Sequence, residues 1–88
     1  MNILWSVKAK KQLEFWEKTN HNIKTRIFKL LDNIQRTPFE GIGKPEALKH
    51  QLGGLYSRRI TSEHRLIYSF NDQTDTLEIE SCKGHYKL

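Results

Sequence analysis

Two residues far apart in the sequence could act as a general acid–base pair. Glu46 follows a glycine- and proline-rich stretch, and His85 lies near the end of the 88-residue chain. A glutamate and a histidine can exchange protons near neutral pH when their surroundings tune them. Taken singly, Glu46 is more often a solvated loop carboxylate and His85 a surface histidine, so this interpretation depends on the neighbouring residues.

Cationic and aromatic side chains accompany this pair in the second half of the sequence. The cations are Lys44, Lys49, Arg58, Arg59 and Arg65, and the rings are Phe39, Tyr56 and Tyr86. Arginine forks match phosphate oxygens, and aromatic rings stack on unpaired RNA bases. Attack of an RNA 2′-OH on the adjacent phosphate needs a base, an acid and cations that stabilise the phosphorane. These residue types favour RNA as the ligand and make all five cations candidates for phosphate contact. An acidic peptide as the ligand, or a solvated surface with no ligand, fits the same charges.

Composition narrows the class of protein. Fifteen lysines and arginines against ten acids give a net charge of +5 and a pI near 9.5, which favours an anionic partner. The single cysteine, Cys82, cannot form an internal disulfide and suits a reducing cytoplasm. No apolar run approaches a membrane span, so we expect a cytoplasmic protein with no membrane partner. The histidines lack metal-ligand spacing and no acidic cluster resembles a magnesium site, so we expect no metal and no other cofactor.

The first part of the chain predicts a strand followed by two helices. Residues 2–5 form a short apolar run, and Ser6 and Asn20 can cap the two helices that follow. Pro38 ends the second helix. The apolar stripe of that helix consists of Ile23, Ile27, Leu30, Leu31 and Ile34.

A long loop and three strands follow. Residues 37–54 hold four of the five glycines and both prolines, too many turn formers for a helix or a central strand. Residues 55–61, 65–71 and 76–82 predict antiparallel strands. We therefore expect residues 1–88 to form one α+β domain, in which an N-terminal strand and a helical hairpin pack on a twisted antiparallel sheet.

Side-chain alternation predicts where the arginines lie. If the helices cover Ile60 and Leu66, these two residues share one face of the sheet. Successive strand residues point to opposite faces, so Arg59 and Arg65 must then lie together on the uncovered face. The last strand adds two carboxylates to that face, which could either hold the arginines or weaken RNA binding: Glu78 and Glu80.

Three blocks of the sequence resemble the YoeB toxins of the RelE/ParE superfamily. They are residues 36–50, 57–68 and 82–86, and residues 3–6 also fit. The resemblance covers essentially the whole chain and implies a RelE/ParE-like fold. It also implies an mRNA interferase of a type II toxin–antitoxin system, which cuts messenger RNA in the ribosomal A site and inhibits translation.

The resemblance implies a role for individual residues. Glu46 would be the general base, His85 the general acid, and Arg65 would stabilise charge on the phosphorane. Lys49 and Arg59 would hold phosphate. Tyr86 would shape the site or position a base, and we group it with the catalytic residues Glu46, Arg65 and His85. The products would be a 2′,3′-cyclic or 3′ phosphate and a 5′-OH, and DNA would not be cut.

The resemblance also implies partners. A YefM-like antitoxin would neutralise the toxin with an acidic segment that lies over Arg59 or Arg65 and folds on binding. Operator DNA would be bound only through the antitoxin complex, and a homodimer fits the family although no sequence feature establishes it. Two other functions stay open: a ParE-like inhibitor of a topoisomerase, which needs no glutamate–histidine pair, and a basic docking module. Related toxins often end at the tyrosine, whereas this sequence continues with Lys87 and Leu88.

Overall fold

Two helices pack on a five-stranded sheet in the computed structural model, which describes residues 1–49 and 53–85. The elements in chain order are β1 (Asn2–Trp5), α1 (Val7–Thr19), α2 (His21–Arg36), β2 (Glu46–Ala47), β3 (Tyr56–Arg59), β4 (Arg65–Asn71) and β5 (Thr76–Ser81). The strand order across the sheet is β1-β5-β4-β3-β2. The α+β architecture predicted from the sequence is therefore confirmed.

The first strand is part of the sheet and forms one of its edges. β1 pairs with β5 in parallel, with Leu4 opposite Glu78. The other neighbouring strands all pair antiparallel, so the sheet is mixed. The apolar run at residues 2–5 indicated a strand but not its partner, because the parallel pairing joins the two ends of the sequence.

A short polar side chain caps the N-terminus of each helix, as predicted. The Ser6 hydroxyl accepts a hydrogen bond from the Ala9 amide at 2.9 Å, and the Asn20 side chain accepts one from the Ile23 amide at 3.2 Å. Each cap satisfies an amide that the first helical turn cannot pair. The second helix ends at Arg36, two residues before Pro38, because a residue that precedes proline disfavours the helical conformation.

The main core lies between α2 and the helix-facing side of the sheet. All five residues of the predicted stripe on α2 are buried. Their neighbours in the core include Leu66 and Tyr68 of β4 and Leu77 and Ile79 of β5, all at most 1% exposed. Within residues 1–49 and 53–85, no helix combines the length and apolar character needed to cross a membrane.

Candidate active site

Glu46, Arg65 and His85 line one cavity of about 160 Å³. The remaining lining residues are Leu48, Ser57 and Ile67. The cavity is smaller than the roughly 300–1,000 Å³ of sites that enclose drug-sized ligands, and its polar lining suits a phosphate group better than an apolar molecule. Three segments that are distant in the sequence thus bring a carboxylate, a guanidinium and an imidazole together.

The cavity lies on the sheet face that points away from the helices. Arg59 stands directly opposite Arg65 in the β3–β4 register, so the predicted arginine pair on this face is confirmed. Ser57 and Ile67 are paired on the same face but are only 7% and 1% exposed. We expected this face of the sheet to be open to solvent, but the side chains at its centre are buried. The cavity is a recess on this face.

Glu46 reaches the cavity because a short edge strand carries it there. β2 contains only two residues and pairs with β3, which places Glu46 opposite Ser57. Just before β2 the chain turns through two left-handed residues, Gly43 at φ +84° and Lys44 at φ +51°. The Gly43 carbonyl accepts a hydrogen bond from the Arg59 amide at 2.6 Å, which ties the turn to β3. The sequence indicated a loop here, and two residues are too few to produce a strand pattern.

Described residues hold the Arg65 guanidinium from one side. Its Nη1 donates to the carbonyls of Thr61, Ser62 and His64 at 2.8, 3.2 and 3.1 Å. Among the described residues no hydrogen bond uses its Nε or Nη2. The turn therefore fixes the side chain through Nη1. A preorganised donor of this kind can stabilise charge that develops in a transition state.

His85 is the last residue of a segment that we call the C-terminal arm, residues 82–85. The Cys82 carbonyl accepts from the Trp16 indole at 2.9 Å, and the Cys82 amide donates to Gln12 at 2.7 Å. The arm is thereby attached to α1. Burial raises the pKa of the Cys82 thiol to about 12, so this residue packs in the core rather than acting as a nucleophile, as its sequence context indicated.

Arg58 was predicted to contact phosphate, but the structure places its side chain in the core. Its side chain is 0% exposed, and it lies on the helix-facing side of the sheet opposite Leu66. All five guanidinium hydrogens have acceptors within the protein. These acceptors are the Tyr68 hydroxyl, the Asn33 side chain, and the carbonyls of Thr37, Glu40 and Ile42.

The buried arginine organises what we call the 37–42 loop. Arg58 donates to three of its carbonyls, and the Tyr68 hydroxyl donates to a fourth, that of Pro38, at 3.3 Å. The Asn33 side chain also accepts from the Ile42 amide at 3.2 Å. Burial is the main cause that raises the pKa of Tyr68, and its hydrogen bond from Arg58 opposes that shift. A loop without regular structure thus keeps its buried backbone groups paired and leads the chain toward Glu46.

The other predicted phosphate ligands lie outside the cavity lining. Lys44, Lys49 and Arg59 are exposed. Arg59 is connected to the site by strand register, since it pairs with Arg65. Tyr86 lies outside the described residues.

Two acidic residues of β5 do not hold the arginines. Glu78 accepts a hydrogen bond from Ser69 at 3.3 Å, and Glu80 lies 4.0 Å from Lys8. Neither forms an ion pair with an arginine within the part of the chain that the structure describes. In that same part no three histidine, cysteine, aspartate or glutamate side chains group as metal ligands would. The cavity lining contains a carboxylate, an imidazole and a guanidinium.

Comparison with known proteins identifies the family. Residues 5–86 match the family described as the YoeB-like toxin of bacterial type II toxin–antitoxin systems. The chain belongs to the YoeB toxin family. It is therefore the toxin of a type II toxin–antitoxin system.

Individual YoeB relatives match over nearly their full length. The chain is 46% identical to the toxin YoeB of Escherichia coli K12 over 86 residues, which cover 98% of this chain and all of that protein. A YoeB/ParE toxin from Agrobacterium tumefaciens has the same fold with a TM-score of 0.95 at 41% identity, over 98% of this chain and all of that one. YoeB of Staphylococcus aureus is also similar, in a heterotetrameric YoeB–YefM complex (TM-score 0.89) and as a dimer (TM-score 0.91), each at 42% identity over 98% of both chains.

Three lining residues of the cavity escaped sequence reasoning. Leu48 and Ile67 have apolar side chains, and the Ser57 hydroxyl stood in no motif that suggested chemistry. Alternation along β3 and β4 does place Ser57 and Ile67 on the same face as Arg59 and Arg65, so the pattern contained that signal. The position of Leu48 depends on the β2 pairing, which the sequence did not reveal.

Proposed function

We propose that this YoeB family member is an endoribonuclease that cleaves messenger RNA in the ribosomal A site. The observation that carries the proposal is the convergence of Glu46, Arg65 and His85 on one cavity. These are the three side-chain types that cleavage through the 2′-OH requires. A topoisomerase inhibitor or a docking module would have no need for a carboxylate and an imidazole in the same recess.

The proposed reaction is an in-line displacement at phosphorus. Glu46 accepts the proton of the 2′-OH while the 2′ oxygen forms a bond to the adjacent phosphorus. Arg65 donates through Nε and Nη2 to the oxygens of the phosphorane, on which negative charge accumulates. His85 protonates the 5′ oxygen as its bond to phosphorus breaks. The products are a 2′,3′-cyclic phosphate and a 5′-OH, and every step uses side chains of this protein and the RNA itself.

The surrounding cations and Tyr86 have supporting roles in this proposal. Lys44, Lys49 and Arg59 contact neighbouring phosphates of the RNA. Such exposed contacts strengthen binding without distinguishing sequences. Tyr86 shapes the site or positions a base. Action on ribosomes would place the protein in the cytoplasm.

A YefM-like antitoxin is the proposed protein partner. The support comes from the YoeB–YefM complex of S. aureus, whose toxin shares 42% of its residues with this chain. An acidic segment of the antitoxin would lie over Arg59 or Arg65 and block the phosphate-binding face. Operator DNA would be bound only through that complex, and the S. aureus dimer makes a homodimer of this chain a second assembly to test.

The test is cleavage of messenger RNA on purified ribosomes by the wild-type protein, Glu46→Ala and His85→Ala. Each variant should lose about a hundredfold or more of the cleavage rate, the usual contribution of a positioned acid or base. Matched controls are Glu14→Ala and His21→Ala, which remove the same residue types at exposed helical positions outside the cavity. Full cleavage by both site variants would contradict the proposal. Intact mRNA with wild-type protein, together with inhibition of a topoisomerase, would support the ParE-like alternative.

A further inference from the structure

One histidine outside the cavity is bonded to the segment that carries His85. His64 accepts a hydrogen bond at Nδ1 from the Gly84 amide, with 2.9 Å between the nitrogens. On the other side of the same residue, the Gly84 carbonyl accepts from the Arg65 amide at 3.0 Å. His64, which directly precedes β4, and Arg65, its first residue, thus bind both backbone groups of the residue immediately before His85.

The His64 ring is itself fixed by packing. It lies edge-on to Trp16, with ring centroids 4.7 Å apart and planes at 70°. Trp16 is 5% exposed, and its indole also donates to the Cys82 carbonyl. The same tryptophan therefore positions the His64 imidazole and the beginning of the C-terminal arm, and the two attachments hold the arm at Cys82 and at Gly84.

The backbone conformation of Gly84 sets the direction in which the chain continues to His85. Its φ is +80°, a left-handed value, and a Cβ at this position would meet no atom of the described residues within 4 Å. Glycine is therefore suited here by conformation and not by lack of space. Since a left-handed residue turns the chain sharply, the orientation of the Gly84 peptide determines where the His85 side chain enters the site.

We propose that His64 is a positioning residue for the nuclease reaction. By accepting the Gly84 N–H, its imidazole holds the C-terminal arm so that His85 lies in the cavity with Glu46 and Arg65. His64 does not line that cavity. Because Nδ1 is the acceptor, the ring proton lies on Nε2. The inference rests on the proposed ribonuclease function and adds a residue to which no catalytic step has been assigned.

The test replaces His64 with asparagine or glutamine, whose side-chain oxygens lie at different distances from the backbone. In His64→Asn the side-chain oxygen occupies the position of Nδ1, whereas in His64→Gln it lies one bond further out. His64→Leu keeps similar bulk without an acceptor. We expect Gln and Leu to lower kcat on ribosome-bound mRNA by about 10- to 100-fold with little change in KM, since small misplacements of a catalytic group have effects of this size. His64→Asn should keep most of the wild-type kcat, because its oxygen can accept the Gly84 N–H.

A second readout separates the structural step from the chemistry. Hydrogen exchange of the Gly84 amide should be slow in the wild type and in His64→Asn, and at least tenfold faster in His64→Gln. If His64→Leu fails to fold, the Asn and Gln pair still decides the matter. Equal kcat for these two amide variants, although the Gly84 amide exchanges at least tenfold faster in His64→Gln, would overturn the positioning role. If the wild-type protein itself leaves mRNA intact, the nuclease proposal fails, and the exchange data then describe only the attachment of the arm.

Discussion

Arg58 and Arg59 are neighbours in the sequence but lie on opposite faces of the sheet. Arg58 is 0% exposed and donates five hydrogen bonds within the protein, while Arg59 is exposed and pairs in register with Arg65. One arginine therefore holds the loop that leads to Glu46, and the other is available to an anion. Strand alternation alone separates a structural cation from a candidate binding cation.

We predict that the two arginines differ in their effect on stability. Arg58→Met keeps an unbranched side chain but removes every donor, so the Tyr68 hydroxyl and buried carbonyls lose their partner. The free energy of unfolding should fall by about 3 kcal/mol or more. Arg59→Met should change it by less than about 0.5 kcal/mol, as is usual for an exposed residue. Urea denaturation measures both, and equal effects would contradict the structural role of Arg58.

Gly41 should be intolerant of a side chain. Its φ is +120°, and a Cβ would overlap Oδ1 of Asn33, the oxygen that also accepts from Arg58 and Ile42. Gly41→Ala should lower the free energy of unfolding by about 2 kcal/mol or more, from backbone strain and the displaced side chain.

The matched control for this substitution is Gly54→Ala. Gly54 also has a left-handed φ of +89°, but a Cβ there would meet no atom within 4 Å in the part of the chain that the structure describes. Only the conformational cost applies, about 1 kcal/mol. Thermal or urea unfolding of both variants provides the comparison, and equal losses would show that Asn33 does not constrain the loop.

The sequence predicted those parts of the fold that depend on local patterns. The stripe of α2, the Ser6 and Asn20 caps, and the Arg59–Arg65 pairing follow from periods of 3.6 and 2 and from side chains that bond to nearby amides. The pairing of β1 with β5 was not predictable in this way, because it joins residues about 75 positions apart through backbone bonds that carry no side-chain signal.

Arg58 shows where sequence reasoning about the site failed. Its position two residues before Ile60 already placed it on the core face. Its charge nevertheless favoured a phosphate contact, because arginine is almost never fully buried unless it is well paired. The acceptors that stabilise it are mostly backbone carbonyls of the 37–42 loop, and a sequence does not reveal where a loop aims its carbonyls.

Cys82 should make the protein less stable at alkaline pH. Its thiol pKa is raised to about 12 by burial, above the value of about 8.5 in an unfolded chain. Between these values the unfolded chain releases the proton that the folded protein retains. The contribution of the Cys82 thiol to the free energy of unfolding is therefore fully present below a pH of about 8.5. It is lost as the pH rises toward 12.

Urea midpoints at pH 8 and pH 10.5 measure this dependence. The decrease should be smaller in Cys82→Ala, although Tyr68, whose pKa is also raised by burial, retains part of it. A thiol reagent should react with Cys82 only after unfolding. Rapid labelling of the folded protein, or an unchanged decrease in the alanine variant, would contradict the assignment.

Charge reversal should weaken binding of the antitoxin. If an acidic segment lies over the arginine face, Arg59→Glu combined with Arg65→Glu should raise the Kd for a YefM-like antitoxin at least tenfold, or about 1.4 kcal/mol. Lys18→Glu, at an exposed position near the end of α1, is the control and should have little effect. Titration calorimetry at two salt concentrations measures these changes. Unchanged affinity in the double variant would place the antitoxin elsewhere.

The most direct test of the account is cleavage of an mRNA with one 2′-deoxynucleotide at a mapped cut site. We propose that the 2′ oxygen is the nucleophile and that Glu46 accepts its proton, so this position should no longer be cut on ribosomes. Other positions in the same message should still be cut and should carry 5′-OH ends. Continued cleavage at the deoxy position, or new ends that carry a 5′ phosphate, would contradict the proposed chemistry.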